Sequence, residues 1–123
     1  MAKKYTPHYI SVNQLVAIDK DKNDIHFLLA NKEIIEIVLL GDKAEFWITN
    51  KRMIFLQGKQ FMNEIMETYH SFPYSKIEDF VVTISDKFDH EMIFNSTNNG
   101  VILKLDNNLP IAEISQLVSD KIL

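Results

Sequence analysis

Three clusters in this chain place side chains where they could do chemistry. The first, Asp19-x-Asp21-x-Asn23, begins like a calcium loop, in which alternating oxygen ligands wrap a hard cation. Asp24 stands where glycine must make the sharp turn, and Ala30 holds the place of the bidentate glutamate. The segment therefore reads as a solvated loop. The second, Glu67-x-x-His70 preceded by Glu64, matches half of a di-iron helix motif, but the facing Glu-x-x-His is missing. On a strand, Glu67 and His70 would also point to opposite faces. The third, Asp89-His90-Glu91, sets an imidazole between carboxylates, and strand alternation again separates His90 from both acids. Ser71, Ser75 and Ser85 sit in no nucleophile elbow, and the three glycines form no phosphate-cradling loop or dinucleotide fingerprint. Cysteine is absent, so there is no thiolate, disulfide or cysteine-ligated metal. The expectation is a protein without catalysis, cofactor, metal or small-molecule substrate.

Charge and composition narrow the partners. A net charge of −4 argues against a nucleic-acid binder, which needs a concentrated basic face. No apolar run approaches the roughly 20 residues that span a bilayer. Lys3 and Lys4 could open a signal peptide, but Tyr5, Thr6, Pro7 and His8 interrupt any apolar core, and Ala2 excludes myristoylation. The expected location is cytoplasmic. With 123 residues, 46% hydrophobic and 24% charged, the chain suits one globular domain.

The elements that must position these side chains are read from hydrophobic period. Residues 1–10 resemble a flexible tail, with a single domain over 11–123. Val12, Leu15 and Ile18 recur at helical intervals behind Ser11, and Ile25, Leu28 and Leu29 do so behind Asp24, which predicts two short N-terminal helices. Strands are expected at 34–40, 44–49 and 52–57, with turns at Gly41-Asp42-Lys43, Asn50-Lys51 and Gly58-Lys59. Residues 61–71 fit either period, with the extended reading favoured. Strands at 76–85, 88–95 and 101–105 come next, the last two joined at Asn99-Gly100. Ile111, Ile114, Leu117, Val118 and Ile122 then form the apolar stripe of a helix opened by Pro110. The class is α+β, mostly β, with about seven antiparallel strands and a terminal helix over the open end of a curled sheet.

Seven strands and one terminal helix resemble the pleckstrin-homology arrangement. Ile48-Thr49-Asn50-Lys51-Arg52-Met53-Ile54 is similar to the Thr-Asn-Lys-Arg turn of the bacterial PH-domain family. Tyr69-His70-Ser71-Phe72-Pro73-Tyr74-Ser75-Lys76-Ile77 is similar to that family's Ser-Ile-Pro-Tyr segment. Ser85-Asp86-Lys87 is shorter than the family's corresponding turn. The resemblance implies a PH-like split barrel of two roughly orthogonal sheets, no assigned catalysis, and packing of several members as ring-like homo-oligomers. In the turn itself, Asn50 suits left-handed backbone, and Thr49 and Arg52 can tie it to neighbouring carbonyls or carboxylates.

Two partner surfaces are expected. Trp47 alternates away from Phe46, and with Ile34, Val38 and Leu40 it forms an apolar surplus on strand faces, a candidate contact for a second copy or another protein. On that reading Trp47→Ala weakens assembly more than folding. Phe46, Phe61, Phe88 and Phe94 are read as core or interface rather than pocket lining. The resemblance further places Lys43 and Lys59 at the end where related domains bind phosphoinositides. Two lysines give only a weak anionic-lipid contact, about 1 kcal/mol each.

Overall fold

The computed structural model describes residues 8–19, 26–97 and 99–123. Runs of β-branched and aromatic residues build eight strands: β1 (His8–Asp19), β2 (Ile35–Gly41), β3 (Ala44–Thr49), β4 (Arg52–Phe61), β5 (Glu64–Pro73), β6 (Asp79–Thr83), β7 (His90–Asn95) and β8 (Asn99–Leu105). Helix α1 (Ile111–Ile122) closes the chain, and single 3-10 turns lie at His26–Leu28 and Tyr74–Lys76. The strands make one sheet in the order β5-β4-β3-β2-β1-β8-β7-β6. The β1–β8 pair is parallel and the rest are antiparallel.

The sheet must curl strongly. Phe46 on β3 and Phe94 on β7 are four strands apart, which in a flat sheet means about 19 Å. Their ring centroids are 6.1 Å apart. The concave side holds the main core, with Leu15, Leu39, Phe46, Phe55, Met92, Phe94 and Leu103 fully buried. Helix α1 adds Ile111, Ile114 and Val118 to that core. An ion pair of 2.5 Å from Lys121 to Glu36 ties its last turn to β2. β5 and β6 remain as edges, so the sheet is not closed.

The mostly-β sheet with its terminal helix agrees with the reading from sequence; several elements do not. The described residues form eight strands rather than seven, in one continuous sheet, and the predicted helix at 11–18 is strand β1. Its register breaks between Val12 and Leu15 against β8, and between Leu15 and Ala17 against β2. Each irregularity adds a residue and resets the alternation, so buried Val12 and Leu15 stand three apart and imitate a helical stripe. Within the stretch read as a tail, residues 8–10 pair with 99–101 of β8. Residues 1–7 lie outside the described residues, as do Asp24 and Ile25 of the second predicted helix. The described remainder of that stretch begins with the 3-10 turn at His26–Leu28.

Two glycines expected in turns lie within strands. β4 runs through Gly58 and Lys59, and the chain reverses instead at Met62, whose φ is 57°. Asn99 and Gly100 belong to β8, and neither has positive φ. Both glycines serve close approach. A Cβ on Gly58 would lie 2.8 Å from the Cβ of Lys43, and one on Gly100 would lie 2.7 Å from the Phe94 carbonyl oxygen and 2.5 Å from the Tyr9 ring. Gly100→Ala is therefore expected to lower stability by about 1–3 kcal/mol, as overpacking does. Urea unfolding checks this; an unchanged midpoint would show that the β7–β8 backbone yields freely.

Candidate functional site

The turn at residues 49–52 forms because Thr49 Oγ1 accepts the backbone N–H groups of Lys51 and Arg52, each at 3.1 Å. Asn50 does not take the left-handed backbone expected of it; among the described non-glycine residues, only Lys32, Lys43 and Met62 have positive φ. It works through its amide. Asn50 Oδ1 accepts the Ile34 N–H at 2.7 Å, Nδ2 donates to the Lys32 carbonyl at 3.2 Å, and its own N–H donates to the Ile34 carbonyl at 3.0 Å. Lys51 Nζ donates to the Asn31 carbonyl at 2.8 Å. Arg52 donates to the Leu28 carbonyl at 2.7 Å and to Ser71 Oγ at 2.8 Å. Each of the four turn residues thus contacts the segment that leads into β2.

Glu33 is the centre of this arrangement. Its Oε1 accepts Ala30 N at 2.8 Å and Arg52 Nη2 at 3.0 Å. Its Oε2 accepts Thr49 Oγ1 at 2.6 Å and Arg52 Nε at 3.0 Å. The Glu33 side chain is fully buried and Arg52 is a quarter exposed. Burial pushes the Glu33 pKa up, but the hydrogen bonds from Arg52, Thr49 and Ala30, with the Arg52 charge, outweigh it and hold the carboxyl below its ordinary value of 4.5. Tyr74 closes the far side by donating to the Thr49 carbonyl at 2.5 Å. Burial, then the charges of Glu36 and Glu33, push its phenol well above the ordinary value, so it stays neutral. The expected ties of Thr49 and Arg52 are present. Sequence reasoning misses Glu33, because a carboxylate so far back along the chain leaves no local pattern.

This clasp holds residues 27–34 over the convex face of the sheet, where Val38, Trp47 and Ile54 form a second buried cluster. Leu28, Leu29, Ile35, Leu40 and Tyr69 pack against it, and Phe27 meets the Tyr69 ring edge-on at 6.0 Å. The interface expected of Trp47 and Val38 is corrected here, since both are 0% exposed. Strand alternation rightly sets Trp47 opposite Phe46, but this part of the sheet is buried on both faces. Trp47 Nε1 donates to Glu45 Oε2 at 2.8 Å. Leu40 is half-buried, and Ile34 is 64% exposed.

The remaining candidates are dispersed. Lys43 and Lys59 do share a hollow of about 130 Å³ with Ser11, Gln57 and Gly58, although Lys59 lies within β4 rather than in a loop. Glu67 accepts the Tyr69 hydroxyl at 3.1 Å, while His70 bonds Gln57 at 3.2 Å on the other face. His90 is buried, and its Nδ1 accepts Ser85 N at 3.1 Å, which fixes the loop before β7. Asp89 instead accepts Gln14 Nε2 at 2.7 Å. Phe46 and Phe94 are core and Phe88 is 76% exposed; the Phe61 side chain lies outside the described residues. So do Asp21 and Asn23. Among the described residues, no three His, Asp or Glu side chains gather as a metal site, and no helix is long and apolar enough to cross a membrane.

β4 and β5 continue beyond the body of the sheet as a two-stranded arm, and every described side chain from 59 to 68 is exposed. Met62, Ile65 and Met66 on it are 83%, 63% and 58% exposed. A turn at Gly58 would cut this arm short, although the apolar residues among Asn63, Glu64 and Glu67 carry the signal.

Residues 8–122 match the family model described as bacterial PH domain. Among solved structures, the chain is similar to a DUF1696-family protein with a pleckstrin-homology domain from Shewanella loihica, at 19% identity and a TM-score of 0.72, covering 81% of this chain and 88% of that one. It is also similar to a pleckstrin-homology domain from Shewanella amazonensis, at 20% identity and a TM-score of 0.68, covering 81% and 83%. A PH-domain-containing protein from Exiguobacterium sibiricum matches at 17% identity and a TM-score of 0.56, over 72% of this chain and 46% of that one. No curated protein matches. At these identities the structures share the fold alone.

Proposed function

The chain belongs to the bacterial PH-domain family, and from that premise we propose that it is a single non-enzymatic PH-like domain that assembles with copies of itself or docks onto another protein in the cytoplasm. The β4–β5 arm carries this reading. A two-stranded ribbon is marginal in water by itself, and this one shows Ile65 and Met66 of the edge strand β5, and Met62 of the turn before it, to solvent. Burying these side chains against a partner and extending the ladder would relieve both liabilities. Ile34, exposed beside the clasp, offers a further contact.

Light scattering after size exclusion at low micromolar concentration tests this. The expected species is larger than the 14.3 kDa chain. Joint replacement of Met62, Ile65 and Met66 by serine should return it to monomer with an unchanged circular dichroism spectrum. A native protein that is already monomeric would remove self-assembly.

The hollow shared by Lys43 and Lys59 favours a second reading, a weak peripheral contact with anionic lipid. About 2 kcal/mol from two lysines would be partly offset by the chain's net charge of −4. Sedimentation with anionic vesicles at low salt decides it; absence of salt-sensitive binding would end this reading.

A further inference from the structure

Residues 27–34 are attached to the molecule differently from everything around them. They form no part of the sheet. None of them enters the main core on the concave side, and their apolar contribution, Leu28 and Leu29, packs only on the convex cluster. Lifting this segment away would leave the concave core whole and bare Val38, Trp47 and Ile54.

Beside the packing of Leu28 and Leu29, the segment is held by five hydrogen bonds with Asn50, Lys51 and Arg52, and by one buried carboxylate, Glu33, the only charged group it sets against the turn's Arg52. A carboxylate offers about four acceptor positions, and all four on Glu33 are taken, by Ala30, Thr49 and two nitrogens of Arg52. A proton on Glu33 would have to displace one of these donors. The charged and titratable groups that act on it are Arg52 of β4 and neutral Tyr74; Glu36 of β2, which faces the same Tyr74, is paired with Lys121, and Lys51 of the turn bonds the Asn31 carbonyl of the segment.

We propose that residues 27–34 are a strap that opens as a unit from the folded sheet, with charged Glu33 as its latch, uncovering an apolar face formed by Val38, Trp47 and Ile54. Local opening of a weakly attached unit is a general property of folded proteins; here Glu33 is the one acidic group among its attachments, beside the bonds from Asn50, Lys51 and Arg52. Because Glu33 is held below its ordinary value of 4.5, its stabilisation is fully present above that pH and is lost as pH falls through the lower, folded value. This motion belongs to the single chain and does not depend on self-assembly.

Trp47 is the chain's one tryptophan, so its emission reports this face alone. In the unaltered protein, acidification below pH 4.5 should shift that emission to the red and raise acrylamide quenching while far-ultraviolet circular dichroism persists. At neutral pH, Glu33→Gln should accelerate amide exchange at Ala30, Ile34 and Asn50 by at least about tenfold, the scale of one lost hydrogen bond to a charged group. Amides of β7 and β8 should be unchanged. The proposal is overturned if Trp47 stays shielded until the whole molecule unfolds, or if those three amides exchange no faster in the variant. A Glu33→Gln chain that fails to fold also overturns it, since the curled sheet should survive release of the strap.

Discussion

Trp47→Ala should cost about 3–5 kcal/mol of folding stability, the range for deleting a large buried aromatic. Trp47 is 0% exposed and lies between Val38, Ile54 and the strap residues Leu28 and Leu29. Removing the indole leaves a void beneath the strap, and partial collapse of Leu28 and Leu29 into it favours the lower half of that range. The loss is a large share of the roughly 5–15 kcal/mol that holds a domain of this size together. Urea unfolding followed by circular dichroism measures it. Met66→Ala on the exposed arm should stay within about 0.5 kcal/mol of wild type. A Trp47 variant that unfolds at the wild-type midpoint would return the indole to the surface, where its effect would be on assembly.

Arg52→Ala should be as damaging, for a different reason. It removes both nitrogens that hold Glu33 and the bond to the Leu28 carbonyl, and leaves a buried carboxylate without its cation. Breaking a buried pair in this way costs about 3–5 kcal/mol. The strap sets a ceiling on that loss, because Glu33 can reach water once the segment lifts. A penalty up to the cost of lifting therefore lowers global stability and speeds strap exchange together; beyond it the strap stands open and global stability falls no further. Arg52→Lys should recover only part of the loss, since an ammonium cannot reproduce the bidentate fork and still reach the Leu28 carbonyl. The pH dependence should change as well. Without Arg52 only the Thr49 and Ala30 hydrogen bonds oppose the burial that raises the Glu33 pKa, so the variant's decline in stability just below pH 4.5 should be weaker than the wild type's. Thermal unfolding at pH 7 and pH 4 would show both effects, and an Arg52→Ala protein with wild-type stability at both would exclude a buried clasp.

The elements most legible in the sequence are those with one solvated face or an unbroken period. The 44–49 strand and the terminal helix match the structure closely, since alternation and a 3.6-residue stripe survive there intact. β1 is illegible because its irregularities turn a period of two into steps of three. Alternation places Trp47 on the right face and gives it the wrong environment, because it reports direction and cannot say that residues 27–34 fold back over that face. Gly58 and Gly100 read as turn residues, when their role is to let neighbouring chains approach. The family resemblance locates the Thr-Asn-Lys-Arg turn, and local chemistry anticipates that Thr49 and Arg52 tie it down. Only the folded chain brings Glu33 to them.

The most direct measurement is a double-mutant cycle across that contact, with Glu33→Gln, Arg52→Met and the two combined, each unfolded in urea at pH 7. If the turn clasps the strap through Glu33 and Arg52, the pair should be coupled by at least about 1.5 kcal/mol, as for a hydrogen-bonded charge pair. The combined variant should then lose clearly less than the sum of the single losses. Losses that add to within about 0.5 kcal/mol, the behaviour of independent sites, would contradict the clasp.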